Sequence, residues 1–317
     1  MTDPMNNKDK ARVAIVLPTH NRGHLVSRAI NSVLAQTFQD WTLYVVDDGS
    51  SDNTGEVIAA FKEPRISYVR NAKPSGPSGA RNSGILACRD EEYLAFLDDD
   101  DEWLPRKLEL QVAMLDKDPR LVAVGCGRID YSSGGPEVHL PRFRGGVFED
   151  LLARRARGYG AQLIMVRRRS GAADLLFDAS MRCLEDADYS MRLAKLGPFD
   201  FVNEPLAKIY RDDGGEHAWN SAAAIEGYLQ LGQKYGSELS SRPWVRAYYD
   251  VCMARDFARL GKASECREAL QRAAAGSEQQ LRLSMWRLAA VVGGPFFRAM
   301  ARLVPIDPPS PRKAVAG

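Results

Sequence analysis

The sequence predicts an α/β fold: a mostly parallel β-sheet flanked by helices, followed by a helical C-terminal extension. Three observations carry this. Val13–Leu17 (VAIVL) and Thr42–Val46 (TLYVV) are continuous apolar runs, as strands buried on both faces require. Between them, Leu25, Val26, Ala29, Ile30, Val33 and Leu34 recur at a helical period. Strands alternating with helices imply right-handed β-α-β crossovers.

The remaining elements follow in order. Asn53–Phe61 reads as a second helix opened by a Ser/Asp/Asn cluster suited to capping. Ile66–Val69 is a short strand, Ser78–Cys88 a helix, and Tyr93–Leu97 (YLAFL) a fourth strand. Pro105–Leu115 is helical with proline in the first turn, where it is tolerated, and Leu121–Cys126 is another strand. Ser132–Pro136 marks a turn. Cys183–Leu196 is a helix ended by Gly197-Pro198, and Ala222–Met300 reads almost wholly as helix. Pro305–Pro311 is a proline-rich tail expected to be disordered.

Composition narrows the classes. The 317 residues are 45% hydrophobic and 26% charged, with a net charge of +2, so nothing in the bulk charge argues for nucleic acid. Five scattered cysteines without a C-x-x-C pair argue against a disulfide framework or zinc site and fit a reducing cytosol. The N-terminus lacks the apolar stretch of a secretory signal. The longest apolar run, Leu288–Phe297, is too short to span a bilayer, so a cytoplasmic protein is expected. Arginine and lysine gather among apolar residues after Arg242, a bias that points to an anionic surface as a partner for the C-terminal part. The stripe Leu281–Leu303 with Arg282, Arg287, Arg298 and Arg302 has two readings. It packs onto the core, the simpler one, or it lies in a membrane surface.

In an open parallel sheet, ligands bind beyond the carboxyl ends of the strands. Three strands here end in polar clusters: Pro18-Thr19-His20-Asn21-Arg22, Asp47-Asp48-Gly49-Ser50-Ser51-Asp52, and Asp98-Asp99-Asp100-Asp101. An Asp-Asp-Gly alone is an ordinary turn, and an acidic run alone is an ordinary solvated loop. Convergence of all three on one sheet edge would crowd carboxylates that repel one another unless a cation offsets them. A hard divalent metal bridging a diphosphate suits such a site.

These motifs resemble those of the family 2 glycosyltransferases, which have the GT-A fold. The similarity covers about residues 12–220 and rests on five ordered segments: VAIVLPTHNR, VVDDGSSDNT, NAKPSGPSGARNSGI, FLDDDDEWLPRKL and CLEDADYSMRLAKLG. Residues 221–304 would then be a helical region and 305–317 the tail. By that resemblance Pro18, Thr19, Asn21 and Arg22 border the nucleotide of a nucleotide-sugar, UDP-linked by expectation. Asp48, and with it Asp47, faces the base; Arg81 and Asn82 reach the ribose or diphosphate. Asp98 and Asp99 lie near the ribose, while Asp100, with Asp98, ligates Mg²⁺ or Mn²⁺. Asp101 leaves that register open by one residue.

Sugar transfer needs a carboxylate to take the acceptor proton, and in the Glu185-Asp186 pair Asp186 is the candidate base, weighed against a merely solvated acidic helix start. A single base opposite the leaving group gives inversion, as the family implies. Asp188 is spaced to pair with Arg192. The segment after Tyr210 departs from the family pattern: Arg211 matches, but the histidine arrives late, at His217. His217 is a third candidate for the metal and Trp219 a candidate for stacking on a sugar, each weighed against an ordinary surface loop.

The acceptor is expected to be a glycan or lipid-linked hydroxyl. A sugar nucleotidyltransferase and a non-catalytic glycan-binding module are the rival readings. PTHNRGHL lacks the glycine-rich basic loop of the first, and the retained carboxylates speak against the second. An NAD-binding protein is disfavoured because no G-x-G-x-x-G follows the first strand.

Overall fold

The structure is a computed structural model that describes residues 11–156, 158–168, 175–211 and 221–275. The sites at His217 and Trp219, the basic stripe after Leu281 and the proline-rich tail lie outside the described residues.

The chain begins with β1 (Val13–Thr19), α1 (Gly23–Leu34), β2 (Trp41–Asp47), α2 (Thr54–Ala59), β3 (Ile66–Arg70), α3 (Gly76–Ala87) and β4 (Tyr93–Phe96). β1 is fully buried and sits between β2 and β4, both parallel to it, with β3 parallel outside β2. That is the arrangement the apolar runs require. The amphipathic face of α1 explains its place: Val26, Ala29, Ile30 and Val33 are buried in the same core as Ile15, Leu17 and Val45.

The second half adds β5 (Glu102–Trp103), α4 (Lys107–Lys117), β6 (Ala123–Ser132), β7 (Gly135–His139), α5 (Phe148–Leu152), β8 (Met165–Arg167), α6 (Glu185–Ala194) and β9 (Phe199–Tyr210). The sheet becomes mixed here, in the order β3-β2-β1-β4-β8-β6-β9-β5, with β7 paired to β6. β8 runs antiparallel to β4 and β6, β5 antiparallel to β9, and β6 parallel to β9. The strand expected at Leu121–Cys126 begins at Ala123 and continues to Ser132 as one arm of the hairpin with β7.

Two compact units are present, one of residues 11–151, 156–179 and 186–211, the other of 152–155, 180–185 and 221–275. The second contains α7 (Ser221–Lys234), α8 (Gly236–Ser240), α9 (Pro243–Arg259) and α10 (Ala263–Ala275). Within it, Asp250 of α9 accepts from Arg272 of α10 at 2.9 Å, and the Tyr249 hydroxyl donates to Leu152 O at 2.8 Å. No helix among the described residues is long and apolar enough to cross a membrane, and all five cysteines are free thiols.

Gly84 sets how closely α3 lies on the sheet. A Cβ there would stand 2.3 Å from Val16 Cγ1 and 3.1 Å from Val46 Cγ2, so the helix must retreat for any side chain. Gly84→Val is therefore expected to lower stability by about 1–3 kcal/mol. Thermal unfolding followed by circular dichroism checks it, and an unchanged midpoint would show that α3 has slack.

Candidate active site

Strand register brings the polar clusters level. Thr19 at the end of β1 pairs with Asp47 at the end of β2, and Asp48 N donates to Thr19 O at 2.9 Å. On the other side Val16 pairs with Phe96, and Leu97 N donates to Val16 O at 3.0 Å, so the acidic run starts beside the same edge.

The first cluster is woven into the second. Asn21, in the left-handed region at φ 52°, donates its N–H to Ser50 Oγ at 2.9 Å and accepts Ser51 N–H at 2.7 Å. Asparagine tolerates that backbone better than most residues. Arg22 then reaches across to the third cluster. Its Nη1 lies 2.8 Å from both Asp99 Oδ1 and Asp100 Oδ2. Arg81 on α3 pairs with Asp98 at 2.6 Å. Arg28 on α1 donates to the Asp100 carbonyl at 2.5 Å and stacks over the Tyr210 ring. Burial pushes the Asp99 carboxyl up to about 6 against the opposing pull of Arg22. Asp101, buried beside Asp98 and Asp100, is raised well above the usual carboxylate range and accepts the Tyr210 N–H.

Two expected nucleotide contacts turn inward. Asp47 is fully buried, accepting Ser50 N–H at 2.7 Å and the Tyr68 hydroxyl at 2.6 Å. Burial opposes its charge, but these bonds and Arg70 hold its carboxyl below the usual range. It braces the Asp-Asp-Gly-Ser turn. Asp48 accepts four hydrogen bonds: Asn71 Nδ2 and Ser75 Oγ on one oxygen, Ser75 N and Gly76 N on the other. A carboxylate has about four lone-pair sites, so Asp48 holds the 71–76 loop with its capacity filled. Asn82 is also spent locally. Its amide donates to Phe177 O at 2.9 Å and accepts Phe177 N–H at 2.7 Å, bracing that segment.

Asp186 lies in the first turn of α6 next to Glu185, and two chains of contacts run from its surroundings towards the acidic run. In the first, Tyr189, three residues on, stacks on Phe177 at 4.2 Å and meets Phe96 of β4 edge-on at 5.7 Å. Phe177 in turn lies 5.4 Å from the guanidinium of Arg81, the partner of Asp98. The second runs through Gly160. A Cβ at that position would come 2.9 Å from Gln162 Oε1 and 3.3 Å from Asp186 Oδ2, so the glycine lies close beside the carboxylate. Two residues later Gln162 O accepts from Trp103 Nε1 at 3.1 Å, directly after the acidic run. Asp188 is buried and pairs with Arg192 at 2.8 Å, as its spacing requires.

The model of glycosyl transferase family 2 matches residues 14–174, which hold the three clusters, Arg81 and Gly160. The chain belongs to this family. Among curated relatives, the Escherichia coli glucosyltransferase WfgD, described as acting from UDP-Glc on α-D-GlcNAc-diphosphoundecaprenol, is 42% identical over 107 residues. That alignment covers 34% of this chain and 42% of WfgD, so the chain matches less than half of that relative. The putative colanic acid biosynthesis glycosyl transferase WcaA of E. coli K12 is 28% identical over 72% of this chain and 82% of its own. Of solved structures, S. aureus TarS 1–349 in complex with UDP-GlcNAc superposes with a TM-score of 0.63 at 14% identity, covering 92% of this chain and 90% of that one. A mannosyltransferase from Pyrobaculum calidifontis, in complex with GDP-Man and Mn²⁺, gives 0.57 at 17% identity, covering 93% and 85%. These likenesses establish the GT-A fold of the family.

The family's Trp-Leu-Pro-x-Lys-Leu segment has a structural task that its sequence does not disclose. Lys107 is fully buried, with Nζ 4.0 Å from the Trp103 ring centroid and 2.8 Å from Gln111 Oε1. Gln111 donates to Val124 O and Leu163 O, both at 2.8 Å, so this cluster clamps the acidic loop to β6 and the 160–163 turn. Arg28, Phe177 and Gly160 were also not singled out by sequence. A helix-face arginine is usually solvated, and single Phe and Gly residues carry no spacing signal.

Burial lowers the Lys107 ammonium from 10.5 to about 8. Below pH 8 both folded and unfolded chains carry the charge and the burial cost is complete. Between pH 8 and 10.5 the folded state sheds the proton first, so stability contributed at this position rises with pH. Measured against Lys107→Met, wild type should gain up to roughly 3 kcal/mol over that interval. Urea unfolding of both proteins at neutral and alkaline pH tests this, and a pH-independent difference would mean the ammonium is solvated.

Proposed function

We propose that the chain is an inverting, metal-dependent glycosyltransferase that moves a sugar from a nucleotide-sugar, UDP-linked, to a hydroxyl acceptor in envelope or extracellular glycan synthesis. One observation carries the reading: the tips of β1 and β4 meet through Arg22, Asp99 and Asp100, with Asp98 held by Arg81 beside them. The relatives supply the class of substrate. WfgD is named for a UDP-linked donor and a diphosphoundecaprenol-linked acceptor, and WcaA for colanic acid synthesis. A lipid-linked acceptor would place the enzyme in the cytoplasm, working at the inner face of the membrane.

The donor set fits a divalent cation. Asp98 and Asp100 offer only carboxylate oxygens and are partly exposed, at 25% and 21%. Among the described residues no three metal-binding side chains form a ready cage. Mg²⁺ and Mn²⁺ are commonly held by one or two carboxylates with substrate phosphates completing the shell, so such a cage is not required. Asp98 and Asp100 would hold the cation, which when bound stabilises charge developing on the departing diphosphate.

This chain's residues do the rest. Thr19, buried at the end of β1, and Asn21 border the nucleotide beside the 71–76 loop that Asp48 shapes. Arg22 and Arg81 offer guanidinium groups to the diphosphate. Asp186 takes the acceptor proton as the hydroxyl oxygen attacks the anomeric carbon from the face opposite the diphosphate, which inverts the configuration there. Glu185 stands next to it on the same helix turn.

A screen of UDP-, GDP- and TDP-sugars with Mn²⁺ or Mg²⁺, read as nucleoside diphosphate release, should give turnover with one donor. Asp186→Asn should keep donor affinity and lose about 10²–10⁴-fold in kcat. Undiminished transfer by that variant removes Asp186 from the role of base, and full activity in EDTA removes the cation.

A further inference from the structure

The acidic run is neutralised side chain by side chain, and the neutralising groups differ in how firmly they are held. Arg81 pairs with Asp98 at 2.6 Å, is only 8% exposed and lies 5.4 Å from the Phe177 ring. Arg22 is 25% exposed, and one nitrogen of its guanidinium bridges Asp99 and Asp100 at 2.8 Å each. The loop backbone has separate supports: Arg28 donates to the Asp100 carbonyl at 2.5 Å, Asp101 N to Asp98 O at 3.1 Å, and Leu104 N to Leu206 O at 2.9 Å. Removing the Arg22 side chain would therefore free two carboxylates without releasing the loop that carries them.

We propose that Arg22 couples cation binding to donor binding: its guanidinium bridges Asp99 and Asp100 until a divalent cation takes the Asp100 oxygens, and it then turns to the donor's diphosphate. The inference rests on the glycosyltransferase reading and adds to it a rule for how the two ligands assemble. A divalent cation on the Asp100 oxygens would repel the Arg22 guanidinium bonded to the same carboxylate; the more exposed Arg22 can turn away, whereas Arg81, buried against Phe177, stays on Asp98 Oδ1. The displaced guanidinium has a planar fork of donors that matches phosphate oxygens, and Arg22 leaves from the residue just ahead of α1, where the nucleotide is bordered.

Each ligand alone thus meets a penalty. A cation without donor must expel Arg22 into solvent, and a donor without cation must draw Arg22 from its two carboxylates. Together each supplies what the other needs, and by linkage the gain is the same from either side.

Simple chelation of the cation by the diphosphate also makes the two ligands favour each other, so the deciding measurement is cation binding without donor. Mn²⁺ binding to the full chain, followed by the electron paramagnetic resonance signal of free Mn²⁺, should be weak for wild type and tighten on adding UDP. A change of about tenfold or more is expected. Arg22→Gln should bind Mn²⁺ alone several-fold more tightly than wild type, and UDP should tighten it correspondingly less. Arg22→Lys, a point charge less suited to spanning both carboxylates, should fall between the two and guards against misfolding of the glutamine variant.

If neither variant binds Mn²⁺ alone more tightly than wild type while UDP still tightens binding in all three, Arg22 is not the coupling element and the metal-dependent reading stands. If wild type binds no Mn²⁺ even with UDP, the metal reading fails and the inference fails with it.

Discussion

Four consecutive carboxylates at the tip of a fully buried strand are the constraint around which this unit is arranged. Asp98, Asp99, Asp100 and Asp101 follow β4 directly, and their mutual repulsion must be offset for the loop to stay compact. The structure offsets it with cations drawn from two separate crossovers, Arg22 before α1 and Arg81 on α3, while Arg28 on α1 holds the loop backbone. Asp101 is dealt with differently. Burial and its two acidic neighbours favour its protonated form, and its bond from the Tyr210 N–H ties the loop to the end of β9. The register left open in the sequence thereby acquires a physical asymmetry. Asp98 and Asp100 keep partly exposed side chains, whereas Asp101 is 3% exposed and turned into the fold.

The same loop explains why so much of the chain converges on it. Trp103 donates its backbone N–H to Ser32 Oγ and its indole N–H to Gln162 O, and Gln36 accepts from Leu108 N and donates to Leu104 O. One helix, one turn and one hairpin strand thus converge on residues 98–108. A buried lysine under Trp103 is an expensive component, tolerable because Gln111 accepts its hydrogen bond and the indole face meets its charge.

Sequence reasoning reached the elements whose signals are local. β1, β2 and β4 are uninterrupted apolar runs, and their polar termini could be placed on one edge because parallel sheets bind ligands there. β8 and β9 were not legible. β8 is three residues long, and β9 (FDFVNEPLAKIY) contains a proline and exposed Asn203 and Glu204, so neither run length nor alternation marks it. At the site, residue type identified the charged groups but not their partners. Asp47, Asp48 and Asn82 look like ligand-facing polar residues, and tertiary approach of Tyr68, the 71–76 loop and Phe177 gives each of them internal hydrogen-bond partners. Partner identity is set by the distant segment that arrives, and no local pattern encodes it.

That distinction also sorts the carboxylates of α6. Asp188 is fully buried and committed to Arg192, so its charge is already matched and its oxygens face the interior. Asp186 lies in the first turn, and one oxygen accepts the Ala187 N–H at 2.7 Å. Its other oxygen lies near Gly160, where a Cβ would come 3.3 Å from it. Tyr189 and Ser190, stacked on Phe177 and bonded to Tyr159 O at 2.6 Å, hold the helix from the following turn. A proposed base must be fixed in direction and reachable, and of these two aspartates Asp188 is buried against Arg192 while Asp186 is only half-buried in the first turn of the helix.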